Sequence, residues 1–118
     1  MVVDKILIDT NAYASFKRGN PESIEVIRYS HFIGLNAVVL GELLAGFAVG
    51  NRESQNRLEL EAFFKSPRIR FLTIDNETAG HYAGIYKALK QKGRPIPTND
   101  LWIAATGTGI ALFQTDEK

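Results

Sequence analysis

The sequence predicts a single α/β domain of three layers, with helices on both faces of a central, mostly parallel sheet of four or five strands. Three observations predict it. Short runs of Ile, Leu, Val and Phe recur along the chain, separated by stretches of helical periodicity, the alternation that builds a parallel sheet. The runs are continuously apolar, as in strands covered on both faces. The 118 residues are enough for one sizeable core and too few for two.

The first strand is Lys5-Ile6-Leu7-Ile8, which stops on Asp9. Asn11 to Lys17 reads as one or two helical turns ended near Gly19-Asn20, and Pro21 suits the first turn of a second helix running to about Ser30. Phe32 to Leu35 is the second strand and Asn36 its end. Val38 to Val49 is apolar on every side of a helical wheel except at Glu42, the pattern of a helix buried all round or covered by a partner. Asn51 to Ser66 is amphipathic, with Leu58, Ala62 and Phe63 on its apolar side, and Pro67 ends it. Ile69 to Ile74 forms the third strand, after which Asp75 or Asn76 caps a helix presenting Ala79, Tyr82, Ala83, Tyr86 and Leu89. That helix ends in Lys87, Lys90, Lys92, Gly93 and Arg94, residues favoured at a carboxyl end. Arg94 to Pro97 is an extended linker, Thr98-Asn99-Asp100 opens a helix through Ala105, and Ile110 to Phe113 is the fourth strand.

Composition narrows the functional classes. Hydrophobic residues make up 45% and charged residues 23%, the balance of a folded protein rather than a disordered one. Lys and Arg number 14 against 13 Asp and Glu, so net charge alone does not announce a nucleic-acid partner. The chain has no cysteine, which removes disulfides, thiol nucleophiles and Cys-based zinc sites and fits a reducing cytoplasm. There is no long apolar leader, and the most apolar region is broken by Asn36 and Glu42, short of the roughly 20 residues that a bilayer helix needs. A cytoplasmic protein without a membrane segment is expected.

Four acids carry the chemistry. Asp9 ends a strand, where open α/β sheets form their ligand crevices. Alternatively it caps the next helix. Glu42 is the lone charge of an apolar helix and needs a partner, either a salt-bridging Arg or a site. Asp100 lies in a first helical turn, where the dipole alone accommodates it. Asp116 follows the fourth strand by a turn, as a site acid or a plain loop acid. If the four converge on one end of a parallel sheet, their repulsion either raises their pKa values or holds a cation. Hard divalent ions such as Mg2+ and Mn2+ take carboxylate and water oxygens and act on phosphodiesters. Phosphodiester hydrolysis is the chemistry implied.

Ile8-Asp9-Thr10-Asn11, Gly41-Glu42-Leu43-Leu44-Ala45-Gly46, Asn99-Asp100-Leu101-Trp102-Ile103-Ala104-Ala105 and Leu112-Phe113-Gln114-Thr115-Asp116, in this order and spacing, resemble the PIN-domain nucleases, most nearly the VapC-type toxins of toxin–antitoxin pairs. The resemblance implies a Mg2+- or Mn2+-dependent endoribonuclease that cuts single-stranded RNA by a metal-activated water. Asp9, Glu42, Asp100 and Asp116 would be its metal-binding and catalytic acids, and Asn11 and Thr115 supporting polar groups. It also implies a homodimer and an antitoxin whose peptide lies over apolar helices; the Val38 to Val49 helix with Tyr13 or Phe16 would receive it, unless core packing explains them. Capping of the first helix then passes from Asp9 to Thr10 or Asn11. Family members usually continue by another strand or helix, so a domain spanning residues 1–118 is expected to be short at its carboxyl end, with Asp116 loosely held.

Two rivals are kept: a PIN scaffold that binds antitoxin without cutting, and a Mg2+-binding receiver-like signalling domain, for which Asp75 after the third strand would be the phosphoacceptor. Lys90, Lys92 and Arg94, with Lys87, are either contacts for an RNA backbone or a solvated helix end. Thr106-Gly107-Thr108-Gly109 follows a helix and precedes a strand, the reverse of a phosphate loop, and reads as helix termination. His31 and His81 lack zinc spacing, and Trp102 is read as core.

Overall fold

The computed structural model describes residues 5–107 and 111–113. Their order is β1 (Lys5–Ile8), α1 (Thr10–Lys17), α2 (Pro21–Tyr29), β2 (Phe32–Leu35), α3 (Ala37–Val49), α4 (Glu53–Phe64), β3 (Ile69–Phe71), α5 (Asn76–Gln91), α6 (Thr98–Thr106) and β4 (Ala111–Phe113). The four strands form one sheet in the order β3-β2-β1-β4, every pair parallel. Ile6 stands between Ile33 on one side and Ala111 on the other, which makes β1 a central strand.

The continuous apolar runs mean what the sequence pattern indicates. Successive strand residues point to opposite faces, yet Ile6, Leu7 and Ile8 are all buried, as are Ile33 and Leu35, so helices cover both faces. Gly34 fits this packing closely: a Cβ there would lie 2.7 Å from the Leu72 side chain. Asp or Asn starts four of the helices. Asp9, Asn20, Asn36 and Asp75 each accept from the backbone N–H three residues on, covering an amide that the helix leaves unpaired. Asp75 and Thr78 complete a reciprocal capping box. The carboxyl end of α2 has no glycine cap; Arg68, arriving just before β3, donates from Nη1 to the carbonyls of Ile27, at 2.7 Å, and of Ser30.

Three expectations are corrected. The third strand ends at Phe71, three residues early, because its one partner, β2, runs out at Leu35, where Asn36 turns the chain into α3. The helix expected over Asn51 to Ser66 is α4, and it buries Leu60, with Phe63 and Phe64 packed on the core, while Leu58 is 62% exposed. The apolar α3 is not buried all round. Val39 and Leu43 enter the core, but Ala45, Gly46, Ala48 and Val49 are exposed, since a single helix face meets the sheet and its neighbours.

Candidate active site

β1 carries Asp9 out of the sheet with extended backbone (φ −98°, ψ 179°) and hands the chain directly to α1. Asp9 keeps the capping role that had been expected to pass to Thr10 or Asn11: its Oδ1 accepts from the Ala12 N–H at 2.8 Å. Asp9 also lines the cleft beyond the strand end. Thr10, next in the chain, donates its hydroxyl to Glu42 Oε1 at 2.5 Å. Glu42 projects from the middle of α3 and takes a second hydrogen bond on Oε2, from Asn99 Nδ2 at 3.1 Å. Its partners among the described residues are thus two neutral donors and no cation, so the alternative of a stray Arg does not apply to them.

Asp100 stands in the first turn of α6, beside that helix's unpaired N–H groups. Pro97 at the cap position offers no side-chain cap, so Asn99 and Asp100 lie within the helix and are not consumed in starting it. Asp9, Thr10, Asn11, Glu42, Asp100 and Ile103 line one cleft of about 210 Å³. The structure therefore gathers three of the four predicted acids, and Asn11 with them. Asp116 and Thr115 lie outside the described residues. Lys90, Lys92 and Arg94 are exposed on the end of α5 and the loop after it, and do not line the cleft. Lys90 lies over the Tyr86 ring, 5.9 Å from its centroid.

One polar residue behind the cleft was read only as a strand end. Asn36, fully buried, accepts from the Val39 N–H through Oδ1 at 3.0 Å and donates through Nδ2 to Thr106 Oγ1 at 2.8 Å. It thereby ties the start of α3, which bears Glu42, to the end of α6, which bears Asp100. An apolar run ending on Asn is the only trace of this in the sequence. Trp102, read as core, is half-buried and packs on Tyr82 of α5 with ring centroids 4.3 Å apart.

The cleft is electrostatically one-sided. Burial pushes the Asp9 carboxyl above its ordinary value of 3.8, and the negative charges of Asp100 and Glu42 push it further, against the opposing hydrogen bond from Ala12. The shift has a defined sign for stability. Protonated Asp9 suits the folded state better than ionised Asp9, so stability is fullest below pH 3.8 and falls as pH rises through the elevated folded value. In metal-free buffer, Asp9→Asn is expected to be more stable than wild type at neutral pH, with the gap closing in acid. Urea unfolding at the two pH values measures it; a gap independent of pH contradicts the prediction.

The donors suit a hard cation that keeps part of its hydration. No three of the described Asp, Glu and His residues are clustered tightly enough to cage a metal ion by themselves. Mg2+ does not require such a cage, since it is commonly held by one or two carboxylates and several waters. Carboxylate oxygens around an open polar cleft without histidine are the matching chemistry.

A family model described as PIN domain matches residues 6–117. The chain belongs to the PIN-domain family. The receiver-like alternative falls with that membership and with the topology, because Asp75 caps α5 beyond the edge strand of the sheet, away from β1. The PIN domain is 27% identical to "Ribonuclease VapC2" of Rickettsia felis over 103 residues, 84% of this chain and 75% of that one. It is 28% identical to "Ribonuclease VapC4" of Mycobacterium tuberculosis over 120 residues, 98% of this chain and 89% of that one. Among solved structures it superposes on VapBC-5 of Mycobacterium tuberculosis, described as a member of the VapBC family of toxin-antitoxin systems. That match has a TM-score of 0.70 at 23% identity, covers 94% and 84% of the two chains, and shows the shared fold.

Proposed function

We propose that this PIN domain is a Mg2+- or Mn2+-dependent endoribonuclease that acts as a toxin on single-stranded RNA and is neutralised by a protein antitoxin. The observation that carries the reading is the convergence of Asp9, Glu42 and Asp100 on one cleft where no described cation offsets them. A divalent ion bound there would polarise the phosphodiester and provide a hydroxide nucleophile near neutral pH. Asp9, Glu42 and Asp100 would hold it, joined by Asp116, with Asn11 and Thr115 as polar support. Thr10 and Asn99 fix the Glu42 carboxylate, and the start of α6 adds its dipole at the edge of the cleft. Lys90, Lys92 and Arg94, exposed at the end of α5 and in the loop after it, are the proposed contacts to the RNA backbone.

The antitoxin reading is supported by the uncovered side of α3 and by the apolar groove that Leu40, Leu44, Leu58, Leu60 and Phe64 form between α3 and α4. The ribonucleases and the toxin–antitoxin complex to which the chain is similar point the same way. Tyr13 does not belong to this surface; it is 2% exposed and packs edge-on against Phe63 at 5.2 Å. Phe16, half-buried, packs against Tyr13 and Phe63 and does not line the groove. A homodimer is supported by α5, which buries only Thr78 and leaves Ala79, Ala83 and Tyr86 exposed. No helix among the described residues is long and apolar enough to cross a membrane, and a cytoplasmic location is part of the same reading.

The test is cleavage of RNA by the purified protein with Mn2+ or Mg2+, with and without chelator, for wild type and Asp100→Asn. Wild type is expected to cut only with metal. Asp100→Asn should be slower by about 100-fold or more, the scale of a charge-stabilising contact worth roughly 3 kcal/mol in the transition state. Equal cutting by both proteins, or none by wild type with either metal, overturns the reading.

A further inference from the structure

Glu42 is held more firmly than an acid on an apolar helix requires. The terminal torsion of a Glu side chain is broad and roughly two-fold, so one hydrogen bond leaves the carboxylate plane loosely set. Here each oxygen has its own donor, from a different element: Thr10 of α1 on Oε1 at 2.5 Å and Asn99 of α6 on Oε2 at 3.1 Å. Two donors on separate oxygens fix the plane, and each oxygen keeps acceptor capacity for a third party.

Asn99 is placed unusually for an Asn near a helix start. Such residues are commonest as caps, and Asp9, Asn20, Asn36 and Asp75 all serve in that way in this chain. In α6 the cap position is Pro97, and Asn99, two residues inside, directs its amide across to α3. The amide is also the right chemical type for the purpose. A Lys or Arg at this position would neutralise Glu42 and compete with a bound cation, and an Asp or Glu would repel it. A neutral donor orients the carboxylate while leaving its charge available. Because Asn99 directly precedes Asp100, the same contact links the position of Glu42 to that of the neighbouring acid.

We propose that Asn99 is a positioning residue, which fixes the orientation and spacing of Glu42 relative to Asp100 and so sets the affinity of the acidic cleft for a divalent cation. The inference rests on the metal-dependent reading above. Its test needs no RNA: titration of metal-free protein with Mn2+ by calorimetry, for wild type, Asn99→Ala and Asn99→Gln, alongside thermal unfolding of each without metal. Partners that orient a metal ligand typically contribute about 10–100-fold to metal affinity. Asn99→Ala is expected to bind Mn2+ about 10-fold more weakly than wild type with an unchanged metal-free melting temperature, because the contact is solvent-exposed. Asn99→Gln keeps the amide donor and is expected to bind more tightly than Asn99→Ala.

Equal Mn2+ affinity in wild type and Asn99→Ala overturns the proposal while leaving the metal-dependent reading intact. So does an Asn99→Gln no better than Asn99→Ala, or a loss of affinity matched by a fall in metal-free melting temperature, which would mark a merely structural role. Wild type that binds no Mn2+ overturns the metal-dependent reading and this proposal with it.

Discussion

Asp9→Asn is expected to give a folded protein that cuts RNA more slowly than wild type by about 100- to 1000-fold, the loss of roughly 3–4 kcal/mol of charge stabilisation. The expectation turns on the two roles that the structure gives this side chain. As a cap, Asp9 accepts from the Ala12 N–H, and Asn caps a helix about as well as Asp does. As a member of the acidic cleft, it contributes a negative charge that Asn lacks. Asn therefore removes the second role and keeps the first. Asp9→Ala removes both, and should lower stability by about 0.5–2 kcal/mol on top of the loss of cutting. Cleavage rates with Mn2+ and urea unfolding, run on both variants, separate the effects. If Asp9→Asn cut at the wild-type rate, Asp9 would be a cap and nothing more.

Asn36→Ala is expected to be the most destabilising polar substitution in the described part of the chain, at about 2–4 kcal/mol by urea unfolding. Removal of its side chain takes the cap from α3, leaves the buried Val39 N–H without its acceptor, and takes from Thr106 Oγ1 the donor that Asn36 supplies, while the Thr106 hydroxyl still donates to the Trp102 carbonyl. Asn36→Ser divides the effect, since Ser can still cap α3 but cannot reach α6. It should recover roughly the capping part, about 0.5–2 kcal/mol. The remainder belongs to the tie between the two helices that present Glu42 and Asp100, and RNA cutting should fall in Asn36→Ser even where the protein is fully folded. A cost below about 1 kcal/mol for Asn36→Ala, or full activity in Asn36→Ser, would show that the tie matters little.

β1 and β2 were legible because burial on both faces leaves almost no polar position in the run; Ile6, Leu7 and Ile8 record that directly. Their limits were less so. The apolar pattern continues to Ile74, but the last backbone hydrogen bond to β2 is that of the Leu72 N–H to the Leu35 carbonyl, and Ile74 is 39% exposed. In α4 the spacing of Leu58 and Ala62 competes with that of Leu60, Phe63 and Phe64, and only the neighbouring helices decide between the two faces. Among the residues that line the cleft, Asp9 and Glu42 could be singled out because an acid at a strand end or alone in an apolar helix is costly without a reason, whereas Asp100, which the helix dipole alone accommodates, was legible only through the family resemblance. Thr10, Asn36 and Asn99 could not. Neutral polar residues near helix starts are ordinary caps in any sequence, and what distinguishes these three is a partner 32, 70 or 57 residues away.

The pairing of Ile6 with Ala111 has a consequence for the order of folding. β2, on one side of β1, comes from nearby in the sequence, whereas β4, on the other, is separated from β1 by most of the described residues. Contacts between such distant positions form late, because closing the intervening chain carries the largest entropic cost. β1, β2 and β3 with their helices are therefore expected to assemble first, and the edge of β1 that β4 covers to close last. The strand end that carries Asp9 is then among the last parts of the sheet to be completed.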